Sequence, residues 1–532
     1  MTRLLDGLGS TISGGSLTRR RLLHGVGIGA VALTTRGVAV AGGDTSLGTS
    51  RLLHQATPDV EQVDELVIDL GVETPSLDPA LVYDNDGWSV IHSIYDSLVQ
   101  YGPTGELEML LAESISQPDP VTFEIKLRPN LTFHNGEPVD AKAIVFSVQH
   151  LVADETASQL ADTFKVIAEA REVDPLTVQF DLLQPAPWLP AQMAAWLALI
   201  PPAYGASNDI GANPVGAGPY RFVAWERGDH ITLEANPDYP AGSLKGQPIA
   251  KRVVVRFVPE ASTRVADLLA GNAGLIRTIP DQLRAVEDGG AQAIATPISG
   301  VTFVRIATDT EPFGDARVRQ ALNYAVDVNA IVEALIGGNG KRLANLFPES
   351  GLGYNPDLAP YAYDPDRAKA LLAEAGLGEG FSTALEHTVG ENQTIVEAIA
   401  AQLGDVGIEV ELQPRETAIF NETWADTAAA PLRYASWRPM FDPYTLINLM
   451  VSNQGFLSRY DSAAAQTLID AGAVEANPAT RAEIYRQLGQ ALHDEPAAIY
   501  LFSLTAFYGA SAELPAWSPR PDDYVIPTVR ND

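Results

Sequence analysis

From residue 65 onward, apolar and polar positions recur in two rhythms. Leu66, Ile68 and Leu70 return every second residue, as do Phe123, Ile125 and Leu127, and Leu176, Val178, Phe180 and Leu182. A period of two buries one face of a strand. Val90, Ile91, Ile94, Tyr95 and Leu98 fall instead on one face of a helix. Asp140 is placed to cap a helix that runs to about Leu151. Residues 219–225 and 231–234 flank Arg227-Gly228-Asp229, which predicts a hairpin. Residues 251–258 read as a strand and 260–270 as a helix.

Beyond Gly300 the helical rhythm dominates, and the pattern predicts a helix over 312–327. Asp364-Pro365 supplies an N-cap followed by proline at the first helical position, and Gly376 ends that helix. Residues 391–403 form a further predicted helix, 408–412 a strand, and 461–475 and 478–492 two more helices. The apolar run 497–504 is expected to rejoin a sheet. No internal repeat is visible, and no strict βαβ rhythm runs through the chain. The expected architecture is mixed α/β with two lobes. The chain crosses between them near 300, returns near 495, and leaves a ligand cleft between the lobes.

Length and composition bound what such a chain can do. At 532 residues it exceeds one ordinary domain, and its 46% hydrophobic and 19% charged residues suit a globular protein. A formal charge of −32 disfavours nucleic acid and anionic lipid as partners. The absence of cysteine excludes disulfides, thiolate metal sites, cysteine nucleophiles and a lipid-bearing cysteine.

The first 41 residues differ from the rest, with five arginines against a single acid, Asp6. Arg20-Arg21-Leu22-Leu23 precedes a short apolar run over 26–33, and Ala39-Val40-Ala41 supplies small residues for cleavage. That order predicts a twin-arginine-type signal peptide over 1–41. The run is far below the roughly 20 residues that span a bilayer. Residues 42–60 read as a flexible leader.

Five strings carry a further signal. Leu77-Asp78-Pro79 leads to Tyr95-Asp96-Ser97-Leu98-Val99. Residues 123–145 contain Leu127-Arg128-Pro129-Asn130 and Phe133-His134-Asn135-Gly136-Glu137-Pro138. Asn213-Pro214-Val215-Gly216-Ala217-Gly218-Pro219-Tyr220 follows, then Pro312-Phe313-Gly314-Asp315-Ala316-Arg317-Val318-Arg319. The last is Tyr363-Asp364-Pro365 with 369–376. In this order they resemble the extracellular solute-binding protein family 5, which includes the dipeptide-, oligopeptide- and nickel-binding receptors of ABC importers.

The resemblance spans 66–502 and implies a two-lobed α/β, periplasmic-binding-protein-like fold with a large extra subdomain. The expected division is 61–300 for the first lobe, with the extra subdomain at about 85–215, then 301–495 for the second. Residues 496–532 return to the first lobe. It also implies export to a periplasmic or cell-surface space, a small-molecule or peptide ligand, ABC permease subunits as membrane partners, a monomeric state and no cofactor.

The strings themselves read as scaffold, so ligand chemistry is sought elsewhere. In peptide-binding members an aspartate three residues after a tryptophan holds the peptide amino terminus. The matching loop here is Trp437-Arg438-Pro439-Met440-Phe441-Asp442-Pro443, which puts Met440 at that position and Asp442 at the acid before the proline. An ammonium group without that carboxylate loses a charge-assisted bond of about 1.5–3 kcal/mol. Arg438 is a candidate for a ligand carboxylate or phosphate, or else is solvated or self-paired. Trp437 either stacks on a ligand ring or packs in a core. Tyr83, Trp88 and Asp442 complete the ligand-binding candidates.

No catalytic or metal residue is assigned. The chain lacks Gly-x-Ser-x-Gly and His-Glu-x-x-His, and Gly337-Gly338-Asn339-Gly340-Lys341 does not match a phosphate-loop spacing. A short peptide is the first solute expected, with an oligosaccharide, an opine-like acid or a metal chelate as alternatives. An exported hydrolase, or a chaperone or signalling receptor on the same scaffold, are readings of a different kind.

Overall fold

The computed structural model describes residues 62–389, 393–424, 426–438, 442–455, 457–514 and 517–530, except the side chains of 417, 418 and 421. The expected signal peptide, the leader and Met440 lie outside the described residues.

A ten-stranded sheet runs through the molecule. Its order is Ile408–Arg415, Phe381–Thr388, Leu432–Trp437, Gln292–Ile306, Ala498–Ala510, Leu275–Arg277, Val63–Leu70, Ala250–Phe257, His230–Ala235 and Tyr220–Glu226. The fourth and fifth strands are 15 and 13 residues long and antiparallel, and their register is irregular between Pro297 and Val301. On one side of that irregularity Ile298, Ala506 and Tyr508 pack in a core shared with residues 66–257 and 524–526. On the other side Val304, Ile306, Leu501 and Phe502 enter a second core, and Val301, Phe303 and Tyr500 a third. Two lobes result, and two long strands carry the chain between them.

The first lobe bears an added four-stranded antiparallel sheet of Ala112–Asp119, Thr122–Leu127, Thr177–Leu182 and Ile167–Asp174. Helix Ala141–Val152 packs on it. Its cap is Asp140, which accepts from the amides of Lys142 and Ala143. Among the described residues no helix is long and apolar enough to cross a membrane.

The helix expected over 312–327 is shorter and has a successor. Asp315 accepts from the Arg317 amide at 2.8 Å and starts helix Ala316–Ala325. Asp327 accepts from the Ala330 amide at 3.0 Å and starts helix Val328–Leu335. Each aspartate satisfies amides that a helix start leaves open, so residues 312–314 remain a turn. Leu98, expected on the first helix, lies beyond its end at Ile94.

Two of the family-like strings form one joint. Gly216 and Gly218 press against the end of helix Asn85–Ile94, and a Cβ on Gly216 would lie 2.1 Å from the Ile94 carbonyl oxygen. The His134 amide donates to Gly216 O at 2.8 Å, and Gly218 N donates to Ile94 O at 2.8 Å. The His134 ring fixes the same turn from both nitrogens. Nε2 lies 2.9 Å from Gly218 O, and Nδ1 accepts from Gly216 N at 3.4 Å. Such a ring is neutral with its proton on Nε2.

Burial pushes the His134 pKa down to about 4, against a lesser opposing pull from the Gly218 bond. The unfolded chain takes up that proton near pH 6.5. Stability from this group is therefore whole above 6.5 and falls as pH drops towards 4, by at most about 1.4 kcal/mol per pH unit. Chemical denaturation at intervals between pH 7 and 4 checks this. His134→Gln should show a shallower decline than the parent, and identical slopes would place the sensitivity elsewhere.

Candidate functional site

The space between the lobes is reached from the first lobe by the loop after strand Val63–Leu70, by helix Leu189–Trp196 and by the carboxyl-terminal segment around Asp523. From the second lobe it is reached by Trp437, Arg438 and residues 442–445.

Asp523 stands at the centre of a cluster of charges. It is 0% exposed and sits at φ 63°, a left-handed conformation unusual outside glycine. Its Oδ1 accepts from Arg277 Nη1 at 2.6 Å and from the Tyr508 hydroxyl at 2.6 Å. Its backbone oxygen accepts from Arg277 Nη2 at 2.8 Å, and its Oδ2 from Asn85 Nδ2 at 3.0 Å. Arg277 Nε faces Asp86 Oδ1 at 2.8 Å, and Asp86 Oδ2 accepts from the amides of Gly71 and Val72. Burial alone would raise the Asp523 pKa, but the Arg277 and Arg438 charges outweigh it and hold the carboxyl below its usual range.

Arg438 meets this centre from the opposite lobe, with Nη1 3.4 Å from Asp523 Oδ2 and a side chain 42% exposed. Trp437 ends strand Leu432–Trp437 opposite Val301, half-buried against the second lobe. Gly300 makes room for this approach, because a Cβ there would lie 2.9 Å from Trp437 O and 3.1 Å from Arg438 Cβ.

Tyr83 is exposed, and its ring stacks on Trp196 with centroids 6.1 Å apart. Surrounding protein still pushes its hydroxyl up to about 12 by desolvation.

Two sequence candidates are placed elsewhere. Trp88 is 1% exposed, its indole N–H donates to Val82 O at 2.9 Å, and its ring packs beside His92 and Tyr524. It sits on the inner face of helix Asn85–Ile94 and builds the core rather than the cleft wall. Asp442 is held by its own lobe. Arg481 clasps it through two bonds of 2.5 and 2.9 Å, and its Oδ1 accepts from the Tyr444 amide at 2.9 Å. Asp442 thus fixes the start of helix Tyr444–Met450 instead of offering a free carboxylate.

Residues without a sequence signal complete the picture. Every residue of helix Leu189–Trp196 is buried, which leaves Gln192 needing a polar partner. The partner is Thr445 of the other lobe, whose hydroxyl donates to Gln192 Oε1 at 2.9 Å. One turn earlier, Trp188 lies face to face with Tyr444, centroids 3.9 Å apart and planes 5° apart. The spacing Trp188, Gln192, Trp196 is the i, i+4 repeat of one helix face. No periodicity reveals it, because the rest of the helix is apolar all round.

Removing one partner of a buried ion pair leaves a stranded charge and costs about 3–5 kcal/mol. Asp442 and Arg481 side chains are 9% and 6% exposed. Asp442→Ala should therefore lower unfolding free energy by about 3 kcal/mol in urea titration. The double change Asp442→Leu with Arg481→Met should regain most of it, and an Asp442→Ala protein of parental stability would contradict the structural role.

A family model for bacterial extracellular solute-binding proteins, family 5 middle, matches residues 106–458. The probable D,D-dipeptide-binding periplasmic protein DdpA of Escherichia coli K12 is 28% identical over 478 residues, covering 84% of this chain and 89% of that protein. The glutathione-binding protein GsiB of Pectobacterium atrosepticum is 31% identical over 358 residues, covering 65% of this chain and 68% of that protein. Among solved structures, the periplasmic binding protein AgaA of Agrobacterium tumefaciens R10 in complex with agropinic acid superposes with a TM-score of 0.74 at 25% identity. That match covers 87% of this chain and 96% of AgaA. The ordered strings, the two lobes and these matches agree: this chain belongs to the bacterial extracellular solute-binding proteins of family 5.

Proposed function

We propose that this protein is the extracytoplasmic receptor of an ABC importer. In this reading it captures a short peptide or similar small polar solute between its lobes and presents the closed form to permease subunits in the membrane. The cleft carries the proposal: contacts made only when the lobes meet, Arg438 with Asp523 and Thr445 with Gln192, lie where two long strands provide the hinge. Closure about such a hinge buries a ligand and removes it from water.

Tyr83, Trp437 and Arg438 are the proposed ligand residues. Asp523 already accepts from Arg277, Tyr508 and Asn85, so its 3.4 Å contact leaves Arg438 with donors to spare. A guanidinium in that state suits a carboxylate. This favours a solute with a free acid group, a peptide carboxyl terminus or an opine-like acid, over a neutral oligosaccharide or a metal chelate.

Thermal stabilisation by panels of di- to hexapeptides, opine-like acids and oligosaccharides tests the reading. A ligand at 100 times its Kd adds about 2.7 kcal/mol to stability. Short peptides or opine-like acids should raise Tm; stabilisation by oligosaccharides alone would overturn both. Arg438→Gln should weaken free acids about 10- to 100-fold and leave their amides nearly unchanged, as measured by calorimetry.

The amino-terminal arginine pair supports export through the twin-arginine route to a periplasmic or cell-surface space. Arg20→Lys with Arg21→Lys should leave uncleaved precursor in the cytoplasm, read by immunoblot of cell fractions; normal processing would argue for another route.

A further inference from the structure

Helix Leu189–Trp196 is buried throughout and reaches the second lobe from its first end. Its first end meets the second lobe through the Trp188–Tyr444 stack, its middle through Gln192–Thr445, and its last residue carries Tyr83. Gln192 precedes Trp196 by four residues, about 6 Å of helix at 1.5 Å per residue. An extended peptide advances about 3.3 Å per residue. A solute lying on Tyr83, at the Trp196 end, thus spans roughly two residues before it reaches the level of the lobe-to-lobe contacts.

Past those contacts the space reopens. A groove of about 440 Å³ lies between the added subdomain and the second lobe, lined by Trp188, Tyr444, Gln184, Asn448, Leu449 and Gln454 among others. Its charged residues Asp162 and Lys165 pair with each other at 3.0 Å. The Trp188 indole N–H is buried and has no hydrogen-bond partner among the described residues. Such walls tolerate an uncharged, amide-bearing chain, yet the stack stands between them and the Tyr83 end.

We infer that Tyr444 and Thr445, closing on Trp188 and Gln192, form an end wall that restricts this receptor to short solutes. The groove behind is the volume a longer solute would enter if the wall were absent. The inference rests on the solute-capture reading and adds the determinant of ligand length. Asp442 and Arg481 serve as positioning residues, because their bonds fix the helix start from which Tyr444 and Thr445 project.

Calorimetry with an alanine ladder of two to six residues, free at both termini, tests it. The parent should bind the di- and tripeptide at least about 10-fold tighter than the penta- and hexapeptide. Tyr444→Ala with Thr445→Val should reduce that gap to about 3-fold or less, while Tyr444→Phe, which keeps the ring, should retain it. An equal length preference in the parent and the double variant overturns the wall, as does a parent that favours the longer peptides.

Hydrogen exchange with a saturating bound solute, whichever member of the panel stabilises the parent, separates the two ideas because it reads the closed form. In the double variant's complex, amides of 189–196 should exchange at least about 10-fold faster than in the parent's, with strand Val63–Leu70 unchanged. If only a non-peptide solute binds and exchange changes in this way, the peptide reading falls and the lobe contact stands. Unchanged exchange in the complex overturns the wall.

Discussion

A buried carboxylate must be paired, and the pairing of Asp523 organises this molecule around its cleft. An unpaired charge in a protein interior costs several kcal/mol, so Arg277, Tyr508 and Asn85 are drawn to one point from three distant parts of the chain. Arg277 ends a central strand, Asn85 starts a helix, and Tyr508 lies on a strand that crosses between lobes. The same carboxylate ties down the carboxyl-terminal segment and presents an oxygen to Arg438. One charge thereby fixes the floor of the first lobe and the place where the second lobe arrives.

The second lobe uses the same device away from the mouth. Arg481 spends its guanidinium on Asp442, Gly472 O and Tyr485, and its pKa rises because the nearby Asp442 charge overcomes burial. The product is orientation: the Asp442 carboxylate caps the residues that carry Tyr444 and Thr445 to the opposite lobe. Cleft geometry therefore depends on ion pairs within each lobe, while the contacts between lobes include a 3.4 Å approach of Arg438 to Asp523, the Thr445–Gln192 hydrogen bond and the Trp188–Tyr444 stack.

Much of the fold was legible in the sequence because burial of one face imposes a period. Strand Val63–Leu70, the hairpin of Tyr220–Glu226 with His230–Ala235, and the helix capped by Asp364 follow from alternation, turn chemistry and caps. Strand Ile167–Asp174 was hidden because it lies at a sheet edge with mostly exposed side chains and shows no apolar alternation. Strand Gln292–Ile306 was hidden because its second half is buried on both faces. The site was less legible than the fold. Trp88 and Asp442 have the residue types of ligand contacts, but only their partners, Val82 O and Arg481, show how they are used. Asp523 carried no local signal, since Arg277 and Asn85 lie 246 and 438 positions away and no spacing links them to it.

Net charge also looks different once partners are known. Arg264, Arg305, Arg319, Arg433, Arg481 and Arg520 are all 7% exposed or less. Arg319 donates to carbonyls of Pro496, Phe313 and Gly314, and Arg433 to those of Phe420 and Thr423. These cations are consumed inside, where they bind loop ends to the sheet, and so are buried carboxylates such as Asp69, Asp96, Glu386, Asp522 and Asp523, which leaves the formal −32 to be carried by the exposed residues. Against that background an arginine at the cleft, 42% exposed and tied by one 3.4 Å contact, is in a different chemical situation from the buried ones. The acidic surface repels anions at long range but is screened over about 8–10 Å at physiological salt. Within a few Å of Arg438 its guanidinium outweighs that screened field, so the local charge at this edge of the cleft differs from the surface around it.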